Sequence, residues 1–335
     1  MISIREVAKM AGVSPATVSR VMNGTAKVNA EKRNRVLRVI EETGFKPNEA
    51  ARALYRRSAR IIGIIVPNID NPFFNEMAKA IEEEAYQNDY RLTLCNSDND
   101  AKKELHNIEL LKRMNADGII LLTNEEQLFH KVKELRIPVV VMDREVTDFQ
   151  DFIYIEADHY EGGRISAQLL FERGCKKVVH MRGPGNLSSS RKRFDGYLDI
   201  CQKYHITPHY IDCGYHYEDG LQAATQILEK FPDADGIVAS NDMVALAVYK
   251  TLVQNKKQVP KDIQLVGFDN IRLSEIVTPE LTTVEQPIDA MGRQAVRSLI
   301  DRINRTETKT NHTFPVRIIE RETTKSCSES HCSNR

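Results

Sequence analysis

From Arg60 onward, short apolar runs of strand length alternate with stretches in which apolar residues recur every three or four positions. The runs Ile61 to Pro67, Arg91 to Cys95, Gly118 to Leu122 and Pro138 to Asp143 predict buried parallel strands, with helical periods near 74–88, 101–114 and 125–135 between them. A second series repeats the arrangement, with strands at Lys177 to Arg182, His209 to Cys213, Gly236 to Ser240 and Ile263 to Phe268 and helices near 160–173, 191–204, 218–230 and 242–255. Strands that alternate with helices imply doubly wound parallel sheets, here an α/β core of two similar lobes. Ligands in such folds bind at the carboxyl ends of the strands, which places a cleft between the lobes.

The first 60 residues follow another rhythm. Ile4, Val7, Ala8 and Ala11 recur at helical spacing, Gly12 supplies a turn, Ser14 is a good N-cap and Pro15 suits the first position of a second helix. Val18, Val21 and Met22 give that helix an apolar face. A third helix is predicted from about Ala30 to Thr43, with Val36, Leu37 and Ile40 inward, Lys32, Arg33, Arg35 and Arg38 outward, and Gly44 at its end. The result is an all-α helix-turn-helix, whose second helix can lie in a major groove. Ala16 is small enough to let the backbone approach base edges, and Arg20 has the planar fork that pairs with guanine. Ser14, Thr17, Ser19 and Asn23 suit phosphate contacts, which position the helix without reading sequence. With Pro15, these seven are the candidate DNA-binding residues of the head.

Charge sharpens this division. The 47 Lys and Arg balance the 47 Asp and Glu over the whole chain, yet residues 1–60 carry 13 basic against 5 acidic side chains and the remaining 275 carry 34 against 42. Such a basic excess suits a polyanionic partner, because each cation placed on a phosphate releases condensed counterions. Length and composition, 335 residues of which 41% are hydrophobic and 28% charged, describe two or three globular domains. No apolar run reaches the roughly 18 to 20 residues of a membrane span, Met1 opens a polar segment rather than an export signal, and six scattered cysteines predict reduced thiols in a cytoplasm.

Polar and aromatic residues gather at the predicted strand ends: Asn71, Phe73 and Phe74 after the first strand, Asp143 and Arg144 at the end of the fourth. In the second lobe Arg191 follows a Gly/Ser-rich loop, Asn241 and Asp269 end strands, and Gln286 lies at a crossover back to the first lobe. Aromatic faces stack on the C–H face of a sugar, while carboxylates, guanidinium forks and amides pair with its hydroxyls. There is no G-x-G-x-x-G after a strand, no P-loop, no G-x-S-x-G and no H-E-x-x-H, so neither an enzyme nor a cofactor is expected. Cys327, His331 and Cys332 are too sparse to predict a metal site, and the tail lacks the heptads of a coiled coil.

The string A-x-x-A-G-V-S-x-x-T-V-S-R-V-x-N from Ala8 to Asn23, with P-N-x-x-A-R-x-L from Pro47 to Leu54, resembles the DNA-binding head and hinge of the lactose-repressor (LacI/GalR) family. The resemblance runs from Ile2 to about Thr324. It implies a helix-turn-helix domain over 1–47, a hinge helix and linker over 48–59, a periplasmic-binding-protein-like, two-lobed sugar-binding and dimerisation core over 60–325, and a disordered tail over 326–335. It implies that Leu54 wedges into the minor groove, with Ala51 and Ala53 small enough for two hinge helices to pair. Asn71, Phe73, Phe74, Asp143, Arg144, Arg191, Asn241, Asp269 and Gln286 fall on the family's ribose-contacting positions, and one further aromatic contact falls on Tyr215 or Tyr217. The stretches around Asn96, Asn241 and Asp269 resemble the ribose-responsive members. The expectation is a homodimeric cytoplasmic repressor of a ribose or pentose utilisation operon, released from operator DNA by the sugar. The alternative is a carbon-catabolite-type regulator whose DNA binding is strengthened by a corepressor.

Overall fold

The computed structural model describes residues 2–23, 28–45, 58–122, 132, 134, 137–143 and 152–326. Leu54 and most of the hinge, Arg144, most of the helix expected near 125–135, and Cys327, His331 and Cys332 lie outside the described residues. The chain forms two compact units, Met1–Ala59 and Arg60–Arg335.

The first unit contains helices Ile4–Ala11, Pro15–Asn23 and Ala30–Thr43. A capping box starts the first helix, the Glu6 amide donating to Ser3 Oγ at 3.3 Å and the Ser3 amide to Glu6 Oε2 at 2.7 Å. Gly12 ends it at φ 63°, a left-handed conformation that an L side chain resists. Val7, Ala8, Ala11, Val18, Val36 and Val39 form the core. Leu37 departs from expectation: it is 45% exposed, and Val39 takes the inward place. At 3.6 residues per turn, positions 36, 39, 40 and 43 share a face, and 37 is turned about 100° away from 36.

In the second unit β1 (Ile61–Val66), β2 (Arg91–Asn96), β3 (Gly118–Leu121), β4 (Val139–Met142), β5 (Ile153–Ala157) and β11 (Asn311–Phe314) form one sheet in the order β11-β5-β4-β3-β1-β2, all parallel. The second sheet, in the order β12-β10-β9-β8-β6-β7, comprises β6 (Val178–Arg182), β7 (His209–Asp212), β8 (Gly236–Val238), β9 (Gln264–Asp269), β10 (Thr283–Glu285) and β12 (Arg317–Ile319). Here β12 alone runs antiparallel to its neighbour. Leaving out β11 and β12, the two orders are identical, so the lobes repeat one winding scheme.

Alternation along the strands divides each core between two faces. Ile62, Ile64 and Val66 point to the helix Pro72–Gln87, while Ile65 points to Ile108 and Leu111 of the helix Ala101–Arg113. The chain passes between the lobes three times: after β5 into the helix His159–Glu172, after β10 into the helix Ile288–Ile303, and from β11 to β12. The helix Ile288–Ile303 returns to the first lobe and adds Met291, Ala295, Val296 and Leu299 to its core.

Candidate functional site

The helix Pro15–Asn23 turns Val18 into the core and leaves Pro15, Ala16 and Arg20 exposed, with Thr17 and Ser19 partly so. Exposed Ser14 caps it, its Oγ accepting from the Thr17 amide at 3.2 Å and lying 3.0 Å from Thr17 Oγ1. Asn23 is its last residue. Lys32, Arg33, Arg35 and Arg38 are exposed along the third helix, as their spacing predicts. The predicted reading face is therefore free of the head's own core.

In the second unit the structure brings seven of the nine predicted cleft residues together: Asn71, Phe73, Phe74, Asp143, Asn241, Asp269 and Gln286 line one cleft of about 330 Å³, its mouth included. Ser189, Arg193 and Tyr215 complete the lining. Asn71 caps the helix Pro72–Gln87, its Oδ1 accepting from the Phe73 amide at 3.0 Å, which fixes the first turn and sets Phe73 and Phe74 edge to face at 5.2 Å. Asn241 does the same for the helix Asp242–Gln254, accepting from the Val244 amide at 2.8 Å, while its Nδ2 donates to the Tyr215 carbonyl at 3.1 Å.

Asp143 follows β4 and Asp269 ends β9, at φ 60° and 120°. A side chain in those regions costs on the order of 1–3 kcal/mol, and such strain clusters at functional sites. Both carboxylates are buried. Asp269 Oδ1 accepts from Gln286 Nε2 at 2.7 Å and lies 3.9 Å from Arg193 Nη2. Burial pushes the Asp269 carboxyl up to about 7, against the pull of Arg193 and the Gln286 amide. Asp242, directly behind, is raised well above its ordinary value by burial and then by Asp269, although Thr283 Oγ1 donates to it at 2.6 Å and the Ile271 amide at 2.9 Å. At neutral pH the proton held by this pair keeps the cleft floor from carrying two adjacent charges.

Arg191 lies elsewhere. It is exposed, and its Nη1 donates to the Gly185 carbonyl at 3.0 Å outside the cleft lining. Two residues on, Arg193 enters instead, its guanidinium 3.5 Å above the Phe268 ring and Nη1 donating to the Ser240 carbonyl at 2.8 Å. The helix Ser188–Lys203 buries Tyr197, Ile200 and Cys201, and that apolar phase carried back one turn from Tyr197 selects 193 rather than 191. Of the two tyrosines left open, Tyr215 lines the cleft, whereas the Tyr217 ring lies 5.7 Å from Lys250 Nζ. His159 carried no motif: it is buried beneath the cleft, Nδ1 3.3 Å from Arg193 Nε and Nε2 2.7 Å from Asp143 Oδ1. Among the described residues there is no cluster of His, Cys, Asp and Glu fit to hold a metal ion and no helix long and apolar enough to cross a membrane.

Two phenylalanine rings set edge to face on one side and a mixture of amide, guanidinium and carboxyl groups on the others suit a small neutral polyol, whose hydroxyls both donate and accept. Residues 59–322 match the model of periplasmic binding proteins and the sugar-binding domain of the LacI family, and residues 3–48 match that of the bacterial regulatory proteins of the lacI family. The chain belongs to the LacI family. As a LacI-family member it is a DNA-binding transcriptional regulator, not an enzyme. This LacI-family chain is 36% identical over 326 residues to the ribose operon repressor of Halalkalibacterium halodurans, covering 97% of this chain and 98% of that protein. A periplasmic binding protein/LacI transcriptional regulator from Alkaliphilus metalliredigens, solved with D-xylulofuranose, is 34% identical with a TM-score of 0.74 over 80% of this chain and all of that one. The ribose-bound LacI-family regulator of Enterococcus faecium is 27% identical, with a TM-score of 0.72 over the same shares.

Proposed function

We propose that the protein is a homodimeric, cytoplasmic repressor of a ribose or pentose utilisation operon, released from its operator when the sugar closes the cleft. The observation that carries this reading is the convergence of Phe73, Phe74, Asp143, Arg193, Asn241, Asp269 and Gln286 on one small cleft, in a chain whose other unit presents an exposed, basic helix-turn-helix. One helix-turn-helix reads few base pairs, so specificity requires two heads on an inverted repeat, with Ser14, Pro15, Ala16, Thr17, Ser19, Arg20 and Asn23 facing the major groove and Leu54 the minor groove. The 36% identity to a ribose operon repressor supports the sugar.

A titration of duplex operator with the full chain, with and without D-ribose, tests the proposal. Weakening of about 5- to 150-fold, the usual range of allosteric coupling, is expected, and operator must weaken ribose binding by the same factor. Strengthening by the small molecule would establish the corepressor alternative instead. The relative solved with D-xylulofuranose favours a second reading in which a ketopentose is the effector, and D-xylulose belongs beside D-ribose in the same titration.

A further inference from the structure

His159 opens the helix that follows the first passage between the lobes. Its ring nitrogens face groups of opposite kind. Nδ1 lies 3.3 Å from both Nε and Nη2 of Arg193, and a guanidinium can only donate. Nδ1 is therefore a bare acceptor, which leaves the ring's one proton on Nε2, 2.7 Å from Asp143 Oδ1. A proton there is also what the carboxylate requires, since two bare acceptors at that separation would repel. The pair has the distance of a hydrogen bond but lies off the best donor line. Burial favours the neutral ring against the pull of Asp143.

Asp143 belongs to the first lobe, Arg193 to the second, and His159 to the segment joining them. The imidazole thus ties one cleft wall to the other, and the array continues from Arg193 through its 3.9 Å approach to Asp269 and on to Gln286. His159 itself is absent from the cleft lining. We propose that His159 is a positioning residue for effector binding, which fixes the Asp143 carboxylate and the Arg193 guanidinium in the orientations that face the ligand. This deepens the pentose-site reading and rests on it for its ligand.

Two substitutions in the full chain separate positioning from bulk. In His159→Gln one amide can accept from Arg193 and donate to Asp143, whereas His159→Phe keeps the ring shape and neither role. By calorimetry with D-ribose, His159→Gln should stay within about threefold of the parent and His159→Phe should lose roughly 10- to 100-fold, as expected for charge-assisted hydrogen bonds left unpaired. Equal losses in both, or none in His159→Phe, would overturn the proposal. The second readout needs no sugar: in ¹⁵N-arginine-labelled protein the Arg193 Nε–H signal, assigned with Arg193→Lys, should broaden in His159→Phe and return in His159→Gln. Should the parent ignore every pentose, the effector reading fails, while an Arg193 signal unchanged in His159→Phe still refutes the positioning role. If His159→Phe does not fold, His159→Met, also lacking a ring nitrogen, takes its place in both measurements.

Discussion

Asp143 and Asp269 occupy matching positions at the carboxyl ends of the fourth strand of each lobe, β4 and β9, and both hold a positive φ. Repetition of one winding scheme has delivered a buried carboxyl to each wall of the cleft, on backbone that only surrounding structure can hold in place. The two are not equivalent chemically. Asp143 faces an imidazole and Asp269 faces an amide, a guanidinium and a second buried acid.

The Asp269 environment sets a pH dependence. Its carboxyl, pushed up to about 7 from an ordinary 3.8, keeps its proton in the folded protein where the unfolded chain has lost it. The folded state then binds more protons, so this group's contribution to stability is full below about 3.8 and is lost as pH rises to about 7. Asp269→Asn does not titrate. Urea unfolding of the sugar-free proteins at pH 5, 6, 7 and 8 should show the variant gaining about 1–3 kcal/mol on the parent across that range, at about 1.4 kcal/mol per unit. Parallel profiles would contradict the assignment.

Two arginines on one helix make opposite predictions. Arg193→Lys keeps the charge but loses the fork that reaches Ser240 and His159 together, and should weaken D-ribose binding by roughly 10- to 100-fold. Arg191→Ala removes a side chain that bonds the Gly185 carbonyl outside the cleft, and should change affinity less than about threefold. Isothermal calorimetry on both variants decides between them.

The helices His159–Glu172 and Ser188–Lys203 touch through glycines. A Cβ on Gly163 would meet the Arg193 carbonyl oxygen at 1.9 Å, and one on Gly196 the Tyr160 carbonyl oxygen at 2.2 Å. Backbone cannot step aside as a side-chain tip can, so Gly163→Ala should destabilise the core by about 2–3 kcal/mol, the upper range for overpacking. Because the shifted backbone is that of Arg193, sugar affinity should fall as well. Denaturant unfolding and calorimetry would show both losses, and a variant as stable as the parent would refute the close approach.

For the head, Arg20→Ala should cost about 1–3 kcal/mol at the operator and relax preference at one base pair, without altering sugar binding. Leu54→Ala should weaken specific operator binding far more than binding to unrelated duplex. Gel shifts at several salt concentrations separate the two effects, since loss of a base contact leaves the salt slope unchanged.

The sequence made the repeating core legible because its central strands are apolar throughout: Ile61 to Val66 and Val139 to Met142 have no other place to go. It hid β5, β10, β11 and β12, whose residues Ile153–Ala157, Thr283–Glu285, Asn311–Phe314 and Arg317–Ile319 are short, partly polar and placed toward sheet edges. Cleft residues at strand ends could be named because topology puts ligands there. Arg193 was concealed by a neighbouring Arg191 of the same chemistry, separable only through the phase of Tyr197, Ile200 and Cys201. His159 had no local sign at all, since its significance comes from Asp143 and Arg193, which the chain supplies from other elements.

The helix Ile288–Ile303 completes the hydrophobic interior of a lobe whose first strand begins at Ile61. A ribosome must therefore have made nearly the entire chain before that lobe can close, while the segment from His159 to Glu285 can begin to collapse earlier. A nonsense codon ahead of Met291 would leave Ile62, Ile64 and Met77 without the Met291, Ala295, Val296 and Leu299 side chains that share their core, so truncation products are expected to be quality-control substrates rather than sugar-blind regulators.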